Sequence, residues 1–260
     1  NAMTVRVGNM AGMDHVLALL RDAGIGTPDV ISPQIYIGNT GSTLKSLTAA
    51  MSIFPNNGVR HRPYIIQRVE DSGGEVIYET PVLENDVLHP AVAQLTARLL
   101  ERVMKDGTAA AARSGYGFKE KAGGKTGTTN DYKDAWFAGY TDAVTCGVWV
   151  GFDQPQTILQ GAYGAKLSLP VWVDVMNAAI AKGYKSTVPK ASSLVAKVNL
   201  CRVSGQLATT PCAERGDAYE DELPPELVPQ IYCQVHGGSG PPVPRQKRDS
   251  FFGRIFRWFK

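Results

Sequence analysis

Ala122-Gly123-Gly124-Lys125-Thr126-Gly127-Thr128-Thr129-Asn130, followed by Asp134-Ala135-Trp136-Phe137-Ala138-Gly139-Tyr140, decides how the chain is read. The Lys-Thr-Gly-Thr run enters a predicted β-hairpin over 134–141 and 143–152. Glycine weakens a strand and commonly marks a place where a ligand or another backbone comes close. Gly127 sits among a cation and hydroxyls, which points to an anionic peptide as the approaching group. Residues 143–152 alternate apolar and small side chains, and read as a buried central partner strand. A phosphate loop is the competing reading of Gly124-Lys125-Thr126. That loop needs glycine at position 119, where Lys119 stands, and it opens a helix rather than a strand.

Lys-Thr-Gly is one of three elements shared by penicillin-binding proteins and serine β-lactamases. The longer text is more specific. Gly124 through Asp131, Asp134-Ala135-Trp136-Phe137-x-Gly139-Tyr140 and Gly147-Val148-Trp149-Val150-Gly151-Phe152-Asp153 together resemble class A bifunctional penicillin-binding proteins. The resemblance runs from about Ala2 to about Tyr184. It implies an α+β fold of the β-lactamase/transpeptidase type, a mainly antiparallel sheet with helices on both faces.

With 260 residues, 43% hydrophobic and 20% charged, the chain is ordinary globular material. A net charge of +3 gives no reason to expect nucleic acid as a partner. No run of 18 apolar residues spans a membrane, and no signal peptide precedes the first element. The start at Asn1-Ala2-Met3 looks like a cut end.

Helical periodicity covers Met3 to Met13, then Val16 to Leu20 with Gly24 as the stop. In the resembling family a Ser-x-Asn element precedes text similar to Ala2-Met3-Thr4-Val5-Arg6. Asn1 would then be its asparagine, 124 positions before Lys125. A two-residue cloning remnant is the alternative. Ser42-Thr43-Leu44-Lys45 fits Ser-x-x-Lys, but follows the Asn1 element where the family's nucleophile precedes it. Ser42 or Thr43 reads instead as the cap of a helix with Leu44, Leu47, Met51 and Phe54 on its core face. Residues 64–69 and 75–78 flank a turn and form a hairpin. Pro90 opens a helix through Val92, Leu95, Leu99 and Val103. Pro170 begins another, with Val171, Val175, Met176 and Ile180 on one face.

Three regions follow: 1–186 as the C-terminal part of the transpeptidase domain, 187–236 as a cysteine-containing appendage, and 237–260 as linker and tail. Cys201, Cys212, Cys233 and His236 lie in the appendage. The oxidising compartment that the resemblance implies favours one disulfide among the three cysteines. A Cys3His zinc site is the other reading. Cys146 reads as an inert strand hydrophobe. The tail from Arg245 carries six Lys/Arg against one Asp, with Phe251, Phe252, Ile255, Phe256 and Phe259 on one helical face. Such a segment can lie on an anionic membrane surface.

The resemblance implies serine acyl transfer on D-Ala-D-Ala stem peptides of peptidoglycan, with β-lactams as inhibitors, at the periplasmic face of the inner membrane. No metal and no cofactor is implied for that step. Lys125 and Thr128 would be catalytic, Lys125 through its field and Thr128 through an oxyanion-hole N–H. Thr126, Gly127, Thr128 and Asn1 would bind substrate. The Ser-x-x-Lys nucleophile and a glycosyltransferase domain are expected elsewhere in a longer protein, leaving this chain inactive alone. The rival readings are a non-catalytic remnant that binds peptidoglycan or partners, and a serine β-lactamase relative. The appendage and tail argue against the latter.

Overall fold

The computed structural model describes residues 1–184 and 195–237, apart from the side chain of Glu226. The expected linker and tail, from Gly238 onward, lie outside the described residues. The chain opens with helices α1 (Ala2–Ala11) and α2 (Met13–Asp22), broken apart at Gly12, whose φ of +92° no helix accommodates. A 3-10 turn over Pro33–Ile37 precedes α3 (Leu44–Met51). Thr43 caps α3: its Oγ1 accepts the Ser46 N–H at 3.1 Å. Short strands β1 (Val59–His61), β2 (Arg68–Glu70), β3 (Val76–Glu79) and β4 (Glu84–Asp86) form two antiparallel pairs, β1 with β4 and β2 with β3. The β2–β3 hairpin is the expected one, shorter than the apolar run drawn from 64.

Helices α4 (Pro90–Lys105) and α5 (Ala111–Ser114) lead into the principal sheet of β5 (Gly123–Thr128), β6 (Asp134–Tyr140) and β7 (Thr145–Gly151). Its order is β5-β6-β7, all antiparallel. The central strand is therefore β6, and the expectation that 143–152 would be central is corrected. Along β7 only Val148 is buried, whereas β6 is buried at Ala135 and from Phe137 to Tyr140.

Alternation along β6 sorts the two faces. Ala138 and Tyr140 face Met51, Leu47 and Phe54 around α3, and Ala97 and Leu100 of α4. Phe137 faces α6 (Gly164–Ala181), where Leu169, Trp172, Val173 and Met176 are buried with Phe118 and Val148. Trp172 anchors that side: its ring lies 5.1 Å from both Phe118 and Phe137, and its Nε1–H donates to Gly139 O at 3.3 Å. Helices thus cover both faces.

Two expectations about helices need correction. Helix α6 starts at Gly164 and runs through Pro170 instead of beginning there. Proline inside a helix costs roughly 3 kcal/mol, which burial of Leu169, Trp172, Val173 and Met176 at roughly 1.5–3 kcal/mol each offsets. The buried stripe is these four, with Ile180 partly buried against it; Val171 and Val175 are exposed. In α4, likewise, Leu99 is exposed and Ala91, Ala93 and Met104 are buried.

The appendage pairs β8 (Ala196–Cys201) with β9 (Ala218–Leu223), antiparallel, with the short helix α7 (Thr210–Glu214) between them. It meets the main unit through Arg98 of α4, whose guanidinium pairs with Glu222 and reaches Asp221 at 3.9 Å. No helix among the described residues is long and apolar enough to cross a membrane.

Candidate active site

Strand β5 lies at one margin of the three-stranded sheet, and no strand flanks its outer side among the described residues. Its phase is set at its end, where the Thr129 N–H donates to Asp134 O at 3.2 Å. Antiparallel strands alternate hydrogen-bonded and non-bonded pairs. From Thr129–Asp134 the bonded pairs step to Gly127–Trp136 and Lys125–Ala138. The N–H and C=O groups of Gly124, Thr126 and Thr128 therefore point away from β6. This is a row of peptide groups with no strand partner among the described residues, the feature a peptide strand can join.

The glycines serve the chain's own packing first. A Cβ on Gly124 would meet Phe137 Cζ at 2.6 Å, and one on Gly127 would meet Trp136 Cβ at 3.1 Å. The close approach expected from glycine in this strand is thus made by β6 itself. Thr129 and Asp134 lock the turn between the strands: the Asp134 N–H donates to Thr129 Oγ1 at 2.8 Å, and the Thr129 hydroxyl donates to Asp134 Oδ2 at 3.0 Å. Trp149 Nε1–H adds a bond to Asp134 Oδ1 at 2.8 Å.

Lys125 is solvent-accessible, and its Nζ donates to Thr126 O at 2.9 Å, one of the outward carbonyls. Partial desolvation by the surrounding protein holds its pKa below the ordinary lysine value. A cation so placed gives the open edge a positive field with two N–H protons to spare. Thr126 and Thr128 lie on the other face of the strand, toward α6. The Thr126 hydroxyl pairs with the Thr108 hydroxyl at 2.8 Å. Thr128 Oγ1 accepts the Gly164 N–H at 3.1 Å, which caps α6 from outside, since Tyr163 at its N-cap supplies no side-chain bond. That leaves the Thr128 proton free to donate.

Beyond Thr128 the edge opens into a polar cleft of about 420 Å³ lined by Thr128, Thr129, Asn130, Asp131, Tyr132, Gln160 and Tyr163. Asp131 and Tyr132 have φ of +58° and +54°, conformations that side chains usually avoid and that concentrate at functional sites. The Tyr132 and Tyr163 hydroxyls are 3.0 Å apart, their rings edge-on at 5.2 Å. Sequence reasoning missed these tyrosines; no local pattern marks a left-handed tyrosine or brings together residues 31 positions apart.

Asn1 stands at the N-terminal end of α1. It is exposed, caps α1 through its carbonyl only, and α1 packs chiefly on the Pro33–Ile37 turn. Ser42 makes its hydrogen bond locally. Its Oγ donates to Thr43 O, and α3 packs beside Gly147 of β7, with β6 between it and β5. Cys146 is half-buried, and burial pushes its thiol pKa up, as an unreactive strand residue requires. The disulfide expectation is corrected: all four cysteines are free, and the sulfurs of Cys201, Cys212 and Cys233 surround His236 Nδ1 instead of pairing.

Known proteins place this architecture. The family described as penicillin binding protein transpeptidase domain matches residues 1–177. Penicillin-binding protein 1A of Rickettsia bellii is 30% identical over 247 residues, covering 85% of this chain and 30% of that protein. The crystal structure of penicillin-binding protein 1A from Haemophilus influenzae superposes with a TM-score of 0.80 at 20% identity, over 89% of this chain and 39% of that one. The imipenem acyl-enzyme complex of penicillin-binding protein A from M. tuberculosis superposes at 0.54 with 21% identity, over 68% of this chain and 44% of that one. The chain thus spans under a third of the curated relative's length. With a match over more than half of its residues, the chain belongs to the penicillin-binding protein transpeptidase family.

Proposed function

We propose that this chain is the substrate-aligning part of a peptidoglycan D,D-transpeptidase in which the serine nucleophile is carried elsewhere in a longer protein. The observation that carries the reading is the open edge of β5, with outward peptide groups at Thr126 and Thr128 and the Lys125 ammonium along it. A stem peptide ending in D-Ala-D-Ala adds to this edge as a strand. The serine Oγ attacks the carbonyl of the penultimate D-alanine, the terminal D-alanine leaves, and the ester passes its acyl group to an amine of a neighbouring strand. The outward Thr128 N–H is one oxyanion donor; the nucleophile's own N–H is the other. The free Thr128 proton and the Lys125 field receive the terminal carboxylate, with Thr126 beside them.

β-Lactams occupy the same edge, and the acyl-enzyme formed by the M. tuberculosis relative with imipenem supports that reading. The same reading places the longer protein at the periplasmic face of the inner membrane, with a glycosyltransferase domain beside the transpeptidase. Labelling with a fluorescent penicillin tests the proposal. The full-length protein should take up label, and this chain alone should not. Labelling of this chain that vanishes on Ser42→Ala would make Ser42 the nucleophile and overturn the assignment.

A further inference from the structure

Among its described residues the appendage buries few ordinary apolar side chains beyond Leu200 and Pro224. Its hydrophobic cluster is Cys201, Cys212 and Cys233, with the small side chains of Ala208 and Ala218 packed against it. Folded units of about 40 residues rarely hold together on so little apolar area, and usually rely on disulfides or metals. No disulfide is formed here.

The side chains converge on a point instead. His236 Nδ1 lies 3.4 Å from Cys201 Sγ, 3.4 Å from Cys212 Sγ and 3.6 Å from Cys233 Sγ. All four atoms lie within 4.8 Å of one another. In a tetrahedral zinc site, Zn–S of about 2.3 Å and Zn–N of about 2.0–2.1 Å give an N···S edge of roughly 3.5 Å. The three observed edges match that value together. A disulfide would instead draw two sulfurs to about 2.05 Å and leave the third thiol and the imidazole buried without a role.

The surroundings complete the arrangement. His236 Nε2 faces Asp217 Oδ2 at 3.4 Å, the carboxylate–histidine pairing that fixes a ligand's tautomer and orientation. The Thr209 N–H donates to Cys212 Sγ at 3.4 Å, a bond that favours a thiolate. The ligands come from separate places: Cys201 ends β8, Cys212 lies in α7, and Cys233 and His236 follow the last turn.

We propose that Cys201, Cys212, Cys233 and His236 bind one structural zinc ion, with Asp217 orienting the histidine. The site is closed, with three sulfur ligands and one nitrogen, so it holds the appendage together and leaves no position for substrate. It fastens the strand whose Glu222 and Asp221 grip Arg98 of α4. The proposal does not depend on the transpeptidase reading.

Elemental analysis of the full chain, purified with reductant and without chelator, should find one zinc per chain. Cobalt substitution should give the absorption of a tetrahedral thiolate site. Cys212→Ser should abolish stoichiometric metal, and Cys146→Ser should keep it. Asp217→Asn, which leaves all four ligands in place, should weaken zinc roughly 10- to 100-fold in competition with a chromophoric chelator, and this readout stands even if Cys212→Ser misfolds. A metal-free folded chain, a mass loss of two hydrogens showing a disulfide, iron in place of zinc, or Asp217→Asn binding zinc as tightly as the parent would each overturn the proposal.

Discussion

Replacing Thr128 by valine separates the structural work of the central motif from its chemistry. The substitution keeps shape and backbone N–H and removes only the hydroxyl that accepts the Gly164 N–H at 3.1 Å. Helix α6 has no other side-chain cap, so one helix-terminal donor loses its partner. Cap deletions cost about 0.5–2 kcal/mol. Thr128 is exposed, so water replaces part of the lost bond, and about 0.5–1 kcal/mol is the expected cost. For a unit of this size that lowers the melting temperature by roughly 1–4 °C. Thermal and urea melts of the chain read it directly. Thr128→Ser keeps the acceptor and should melt near the parent. If Thr128→Val melts with the parent, or Thr128→Ser falls as far, the hydroxyl does not cap α6 and the reasoning fails.

Two further outcomes follow from the same region. Gly164→Ala would drive a Cβ against the carbonyls of Trp136 and Gly127, so it should cost more than Thr128→Val, about 1–3 kcal/mol by chemical denaturation; a neutral change would mean that α6 does not start against the sheet as described. Lys125 is held below the ordinary lysine pKa of about 10.4 by desolvation, so the unfolded chain binds more protons at this site between the folded pKa and that value. Its contribution is therefore fully present above the unfolded pKa and lost as pH falls through the folded one; stability should rise with pH across that window. Lys125→Gln should flatten the rise, and an NMR titration placing the Lys125 pKa at or above 10.4 would contradict it.

The β5–β6–β7 meander was legible because period-two alternation and the glycines survive in any context. The position of each strand was not: alternation along residues 143–152 says which side chains face inward, but not that β6 lies between the other two. Pro170 misled for a related reason, since local propensity marks it as a helix start while the buried face of α6 comes from packing against Phe137 and Phe118. Lys125, Thr126 and Thr128 could be named from the motif, yet the Gly164 and Thr108 partners that occupy the two hydroxyls lie 36 and 18 positions away. Neither the Tyr132–Tyr163 pair nor the convergence of three thiols on His236 has a local signature that decides its geometry.

The central claim is that the Lys125 ammonium acts on the chemistry at the β5 edge and not on the fold. The measurement is the rate of penicillin acylation by full-length protein carrying Lys125→Ala, taken beside its thermal melt. The side chain is accessible and fills no core volume, so the melt should move by no more than about 0.5 kcal/mol equivalent. Loss of a charged group from a preorganised site should raise the barrier by roughly 2–4 kcal/mol, slowing acylation about 30- to 1,000-fold. Acylation at the parent rate, or slowing only in proportion to a lost melting transition, would contradict the account.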